Sequence, residues 1–187
     1  SRLLVEQSIH QEFVSEVARL AGQLRVGDPL DLSNDIGAVH SEDQLKTILS
    51  FTESAECRIG GSRILQETGG TYMAPTLIDN VRPSDRVFTQ EVFGPVLAVT
   101  PFDTEQQAVA LANGTEFGLA AAVWTSNLSK AHRMVRSVRS GLVHVNTYGG
   151  SDLTVPLGGV KQSGNGHDKS LHALDKYTDL KTAWIKL

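Results

Sequence analysis

The sequence predicts an α/β fold: a mostly parallel sheet with helices on both faces, closed by a terminal strand suited to oligomerisation. Residues 119–124 and 142–146 are short, almost continuously apolar runs, the composition of strands covered on both faces. A helical repeat lies between them, so strand, helix and strand alternate as in a parallel crossover unit. Residues 180–187 alternate apolar and polar, like a strand with one packed face.

Residues 2–6 read as a short buried strand. Ser8 with Gln11 three residues on has the form of a capping box, and Ile9, Phe13, Val17, Leu20 and Leu24 follow at helical spacing. Gly27-Asp28-Pro29 ends that unit, and a loop rich in Asp, Ser, Asn and Gly runs to His40. A second capping box, Ser41 with Gln44, opens a helix that carries Leu45, Ile48 and Leu49 and continues through 50–56 until Gly60-Gly61 stops it. Residues 63–66 read as a strand before a glycine turn at Gly69-Gly70. Residues 72–78 and 96–102 are further extended stretches. Asp103 with Gln106 marks the next helix start, with Val109 and Leu111 inside it and Asn113-Gly114 at its end. Asn127 or Ser129 caps the helix between the two apolar strands, and Ser140-Gly141 ends it. From Thr147 to Gly166 the chain is rich in glycine and poor in large apolar residues, the pattern of a functional loop. Helix returns at 168–176.

The composition sets outer limits. A chain of 187 residues, 40% hydrophobic and 20% charged, is that of an ordinary globular domain. Seventeen Lys and Arg stand against 21 Asp and Glu, a net charge of −4, which gives no electrostatic reason to expect nucleic acid. The densest basic run, Lys130, His132, Arg133, Arg136 and Arg139, alternates with Ala131, Met134, Val135 and Val138 and reads as the solvated face of an amphipathic helix. No apolar stretch approaches the ~20 residues of a membrane helix, and residues 1–7 hold no signal-peptide core. A cytoplasmic protein is the simplest expectation, although a chain that begins at Ser1 rather than Met says nothing of a longer parent's targeting. No metal site is expected: one cysteine and six scattered histidines lack the spacing that zinc requires.

Few residues offer chemistry. Cys57 beside Arg58 invites a reactive-thiol reading, but no His or glycine elbow adjoins it, and a structural cysteine is the simpler alternative. No G-x-S-x-G elbow occurs. Gly164-Asn165-Gly166 lacks the strand context and third glycine of a dinucleotide fingerprint. Glu91-Val92-Phe93-Gly94-Pro95 is more unusual. A carboxylate and an aromatic ring two apart can share one face, there to accept from a sugar hydroxyl with a ring packed beside it; the alternative is an ordinary turn. Asn146 ends a strand where parallel sheets gather ligands, and its amide suits an oxyanion or its own backbone equally.

These strings converge on a family. Gln90 to Val96 resembles the E-[EIV]-F-G-P segment of the aldehyde dehydrogenases. Asn113 to Val123 has the form A-N-x-x-x-[FY]-G-L-x-A-x-V, and Gly141 to Asn146 and Pro156 to Gly164 match further motifs in family order. The resemblance covers the whole chain. Lys161 to Leu174 is most similar to the γ-glutamyl-γ-aminobutyraldehyde dehydrogenase group.

The resemblance implies a reaction in which a cysteine thiolate attacks an aldehyde, hydride passes from the thiohemiacetal to NAD or NADP, and water releases the acid. It implies that Glu91 holds the nicotinamide-ribose hydroxyls, that Phe93 packs against that end of the cofactor, and that Gln44 approaches the adenosine ribose. Gln44 as a capping-box residue is an equally good reading. The resemblance places Leu157 in the aldehyde pocket, with Thr147 and Ser151 in the stretch that lines its entrance.

The resemblance also implies that the nucleophilic Cys lies a few residues before Ser1, with the general-base Glu and the dinucleotide-binding half further upstream. No catalytic residue is then expected in this chain, and Cys57 stands in the wrong place. Residues 1–166 correspond to a catalytic domain lacking its nucleophile segment, and 167–187 to a helix and strand that pair subunits into a homodimer or homotetramer. Leu157 stands where an aromatic is common, Val160 where Tyr is frequent, and His167 where Arg is frequent. The competing class is a non-catalytic folded fragment that acts only as an oligomerisation or interaction module.

Overall fold

A four-stranded sheet organises the first of the two units into which the chain divides, Ser1–Gly114 and Thr115–Leu187. The computed structural model describes residues 1–187 except Ser54 and Ser151. The first unit contains β1 (Arg2–Glu6), α1 (His10–Ala21), α2 (Glu42–Thr52), β2 (Cys57–Ile59), β3 (Arg63–Ile64), β4 (Tyr72–Met73), β5 (Thr76–Ile78), α3 (Arg86–Thr89), β6 (Val96–Phe102) and α4 (Glu105–Asn113). The sheet order is β1-β6-β5-β2. Arg2 lies opposite Ala98 and Thr76 opposite Val96 in parallel pairs, and β2 runs antiparallel to β5 at the edge. β3 and β4 form a separate antiparallel pair.

The strands are apolar on both sides because both faces are covered. Successive strand residues point to opposite faces. Leu77 and Val99 therefore pack with Val5 and with Val14 of α1, while Ile78, Val96 and Ala98 pack with Leu45 and Ile48 of α2 and Leu111 of α4. Leu45 and Ile48 are fully buried, each such side chain contributing about 1.5–3 kcal/mol. The α/β sheet with helices on both faces is thus as the sequence predicts.

Several local expectations are corrected. Ser8 does not cap α1; the N-cap is Ile9, with no side-chain bond, and the Ser8 hydroxyl lies 3.3 Å from a Glu6 carboxylate oxygen. The row Ile9, Phe13, Leu20 and Leu24 stays exposed, whereas His10 and Val14 are buried. A histidine is tolerated inside because its Nε2 pairs with Asp79 Oδ1 at 2.9 Å, so the buried polar ring is satisfied. α2 ends at Thr52, whose hydroxyl lies within hydrogen-bonding distance of the Leu49 and Gly61 carbonyls, and Cys57 begins a strand. α4 is capped one residue later than expected. Thr104 Oγ1 accepts from the Gln107 amide, and Gln107 Oε1 accepts from the Asp103 amide. Ser41, as expected, caps α2 by accepting from the Gln44 amide.

Arg2 fastens β1 to its neighbours. Its guanidinium donates to the Leu111 and Ala112 carbonyls at 2.8 and 2.9 Å, in the last turn of α4, and lies 4.8 Å from the Phe88 ring centre. The last carbonyls of a helix have spare acceptor capacity, and a cation suits its negative end.

The second unit holds β7 (Ala120–Val123), α5 (Leu128–Ser137) and β8 (Leu142–Val145). β7 and β8 are parallel, Ala120 opposite Leu142. Asn127 is the cap that the structure uses, accepting from the Lys130 amide at 2.9 Å. Ala131 and Met134 are buried and His132, Arg133 and Arg136 exposed, so the basic run is a solvated face.

The expected division at residue 166 falls inside this unit. Leu157 and Asp168 exchange backbone bonds of 2.8 and 2.7 Å across it, tying the glycine-rich loop to the start of the final segment. The loop also lies against the start of the unit: the Val160 amide donates to Gly118 O, and a Cβ on Gly141 would stand 1.7 Å from the Gly158 carbonyl. Residues 168–176 do not form an α-helix; a 3-10 helix covers Leu171–Lys176, with Ser170 accepting from the His172 amide.

The terminal stretch is not a strand in the single chain. Leu180, Trp184 and Leu187 are fully exposed. Alternation alone cannot make a strand, because the ladder needs a second edge. Among the described residues no helix is long and apolar enough to cross a membrane.

Candidate functional site

The loop between α3 and β6 carries the most specific candidates. Val92 is its anchor, buried among Ile48, Phe51 and Val96, and its neighbours Glu91 and Phe93 are exposed. The alternation read from the sequence is thus present, but the backbone that produces it is not simply extended. Phe93 has φ +54, the left-handed region that a residue with a Cβ rarely occupies. That turn leaves the aromatic ring 73% exposed.

Three contacts hold the turn. Gln44 Nε2 donates to the Phe93 carbonyl at 2.7 Å. Gly94 lies flat on α2, where a Cβ would stand 2.5 Å from Ile48 Cδ1. The Pro95 carbonyl accepts from the Thr76 amide at 2.8 Å, joining the loop to β5. Arg86 braces the approach, with its guanidinium 4.2 Å from the Phe51 ring centre and Nε 3.3 Å from Gln90 Oε1.

Gln44 and Phe93 are therefore brought together, although neither string suggests the other. The available signal was helical spacing: Gln44 and Ile48 are four apart and share one face of α2. Sequence reading also missed what lies beside Glu91. The Ser1 amine donates to the Val96 carbonyl at 3.0 Å. The start of β1 thus lies beside the end of the loop that carries Glu91.

The substrate-side candidates belong to the second unit. Thr147 is exposed and Leu157 half-buried, with Leu157 held by the backbone bonds to Asp168. Ser151 lies outside the described residues. Asn146 has φ +53, and its amide is committed to structure: Oδ1 accepts from the Thr125 amide at 2.8 Å and Nδ2 donates to the Thr125 carbonyl at 2.9 Å. This backbone clamp takes Oδ1 and one of the two Nδ2 N–H donors.

Cys57 is half-buried, and burial pushes its thiol pKa up. Its sulfur faces Gly61, where a Cβ would stand 2.9 Å away. A raised pKa leaves less of the thiol as the reactive thiolate at neutral pH. Among the described residues no group of three His, Cys, Asp or Glu could hold a metal.

An α/β sheet presenting a carboxylate and an aromatic ring on one strained loop defines the class of site. The family follows from comparison. A model described as the aldehyde dehydrogenase family matches residues 1–183, and the chain belongs to that family. It is 45% identical to the NADP/NAD-dependent aldehyde dehydrogenase PuuC of Escherichia coli K12, an alignment that covers 100% of this chain and 38% of that protein. It is 40% identical to an aminoacetaldehyde dehydrogenase of Pseudomonas aeruginosa, over 99% of this chain and 38% of that one. Its fold superposes with a TM-score of 0.94 on an indole-3-acetaldehyde dehydrogenase crystallised with NAD+, 53% identical over 100% of this chain and 39% of that chain. The chain thus spans about two fifths of the length of these relatives.

Proposed function

We propose that this chain is the carboxyl-terminal part of an NAD(P)-dependent aldehyde dehydrogenase that oxidises a small or ω-amino-type aldehyde to its carboxylic acid. The observation that carries the reading is the position of Ser1. Its backbone nitrogen donates to the Val96 carbonyl at 3.0 Å, at the end of the loop that carries Glu91 and Phe93. A cysteine a few residues ahead of Ser1 would therefore be delivered to the side of the loop where Glu91 and Phe93 stand. The route is a cysteine thiohemiacetal, formed by a thiol that precedes this chain.

The loop fits the nicotinamide end of the cofactor. Glu91 is exposed and supplies two acceptor oxygens for a pair of ribose hydroxyls. Phe93 offers a largely exposed ring face, and Gly94 places no side chain between loop and α2. Bound NAD would supply the hydride acceptor. Thr147, Ser151 and Leu157 would line the aldehyde pocket, and Leu157, smaller than an aromatic, leaves it wider. The lean towards amino-aldehydes rests on the aminoacetaldehyde relative, and the openness to either nucleotide on the NADP/NAD-dependent one. The complete enzyme would work in the cytoplasm as a homodimer or homotetramer.

The chain alone would be inactive, because covalent catalysis cannot begin without the attacking thiolate. As an isolated polypeptide it acts at most as an interaction module. The exposed apolar side chains of Leu180, Trp184, Ile185 and Leu187 favour this second reading, with the alternating tail adding a strand to a second copy.

The test has two arms. Residues 1–187 with NAD and an aldehyde should form no NADH, and turnover would refute the upstream nucleophile; particle mass should fall when residues 178–187 are deleted. In the complete enzyme Glu91→Gln should weaken NAD binding, measured by calorimetry, without changing the melting temperature. Wild-type affinity would reject the ribose role.

A further inference from the structure

We propose that Gln44 is a positioning residue for the cofactor loop: its side-chain N–H holds the Phe93 carbonyl, and through it the left-handed turn that sets Glu91 and Phe93 outward. The proposal rests on the reading of that loop as the nicotinamide site, and gives Gln44 a role in that site other than contact with a ribose.

The capping-box reading accounts for only half of Gln44. Its backbone amide is the one that Ser41 caps, at 3.2 Å. In a capping box the side chain would turn back to the Ser41 amide. Instead it reaches across 49 residues of sequence to Phe93, at 2.7 Å. Only the amide nitrogen of glutamine can donate to a carbonyl, so the chemistry fixes which way the side chain faces.

Phe93 needs such a hold. An aromatic residue at φ +54 is at a local disadvantage against extended backbone. Relaxing it would rotate the peptide between Phe93 and Gly94, carry the carbonyl away from Gln44 and turn the ring. Gly94 is pressed against Ile48 one helical turn along α2 from Gln44. Two side chains at i and i+4 on one rigid helix therefore grip consecutive loop residues, one by a hydrogen bond and one by contact. A loop that must present a carboxylate and a ring together gains from being fixed before the cofactor arrives, since ordering it on binding would weaken affinity.

The test uses Gln44→Met, which keeps length and helix preference but cannot donate, and Gln44→Glu, which sets an acceptor against the carbonyl. The first readout is hydrogen exchange by mass spectrometry on the chain 1–187. Exchange in 90–96 should quicken about fivefold, the effect of losing one neutral hydrogen bond. Exchange within Glu42–Thr52 should not change, because the Ser41 cap and the Leu45 and Ile48 packing are untouched. The second readout, in the complete enzyme, is NAD affinity by calorimetry together with kinetics. Affinity should fall about fivefold, with KM for NAD rising by a larger factor than kcat falls.

Unchanged exchange in 90–96 overturns the proposal. So does faster exchange with wild-type NAD affinity, provided that Glu91→Gln has weakened binding. If Glu91→Gln binds NAD normally as well, the cofactor reading of the loop is what has failed, and the Gln44 proposal falls with it. A general loss of stability that quickens exchange equally in Glu42–Thr52 also overturns it, because Gln44 would then be merely structural.

Discussion

Gly94→Ala adds one methyl group where the chain has no room for it. The new Cβ would meet Ile48 Cδ1 at 2.5 Å, Cγ1 at 2.9 Å and Cγ2 at 3.1 Å. Ile48 is fully buried on the inner face of α2, with no open space to swing into. The backbone at Gly94 is not in the left-handed region, so the cost is one of packing alone. Overfilling a packed core costs about 1–3 kcal/mol. At a urea dependence of about 2 kcal/mol per molar, the unfolding midpoint should fall by about 0.5–1.5 M. Ile48→Ala, which removes all three offending atoms, should alone cost about 2–5 kcal/mol. The double variant should be more stable than the sum of the two by at least ~1 kcal/mol, because the methyl then enters the space that the isoleucine left. Urea unfolding of the four proteins measures this directly. Costs that add to within ~0.5 kcal/mol would refute the claim that Gly94 is required for close approach to α2.

Two further outcomes concern other parts of the fold. Asn146→Ala removes both bonds to the Thr125 backbone and leaves a methyl-bearing residue at positive φ; it should lower stability by about 2 kcal/mol, and Asn146→Gly should recover about 1 kcal/mol of that. A variant as stable as the wild type in thermal melts would show that Asn146 is not a structural clamp. Burial raises the Cys57 pKa, so at any given pH less thiolate is present than on a free thiol; iodoacetamide should label it more slowly than glutathione at neutral pH, and a faster rate would refute the inert reading.

Elements set by local rules were legible before any coordinates. The Ser41 cap of α2 and the solvated basic face of α5 arise from neighbouring residues, as does the glycine stop after α4, and the parallel pairing of Ala120–Val123 with Leu142–Val145 follows from two apolar runs joined by a helix. The family motifs likewise pointed to Glu91 and Phe93 as a unit. Local rules failed where two local solutions competed. Asp103 with Gln106 and Thr104 with Gln107 both have the spacing of a helix start, and the structure uses the second. His10 is a second case: it lies buried beside Asp79, a partner 69 residues away that its neighbours in sequence do not reveal.

Residue periodicity and short motifs act over a few positions, and they suffice for the α/β class, for the helix and strand alternation and for family membership. They carry no information on which distant group meets which. The contact of Gln44 with Phe93, the pressure of Ile48 on Gly94 and the bond from Ser1 to Val96 each join segments separated by long stretches of chain. A hydrogen bond or a steric contact depends on positions within fractions of an ångström, and only the assembled sheet, with α2 laid across it, brings these atoms that close.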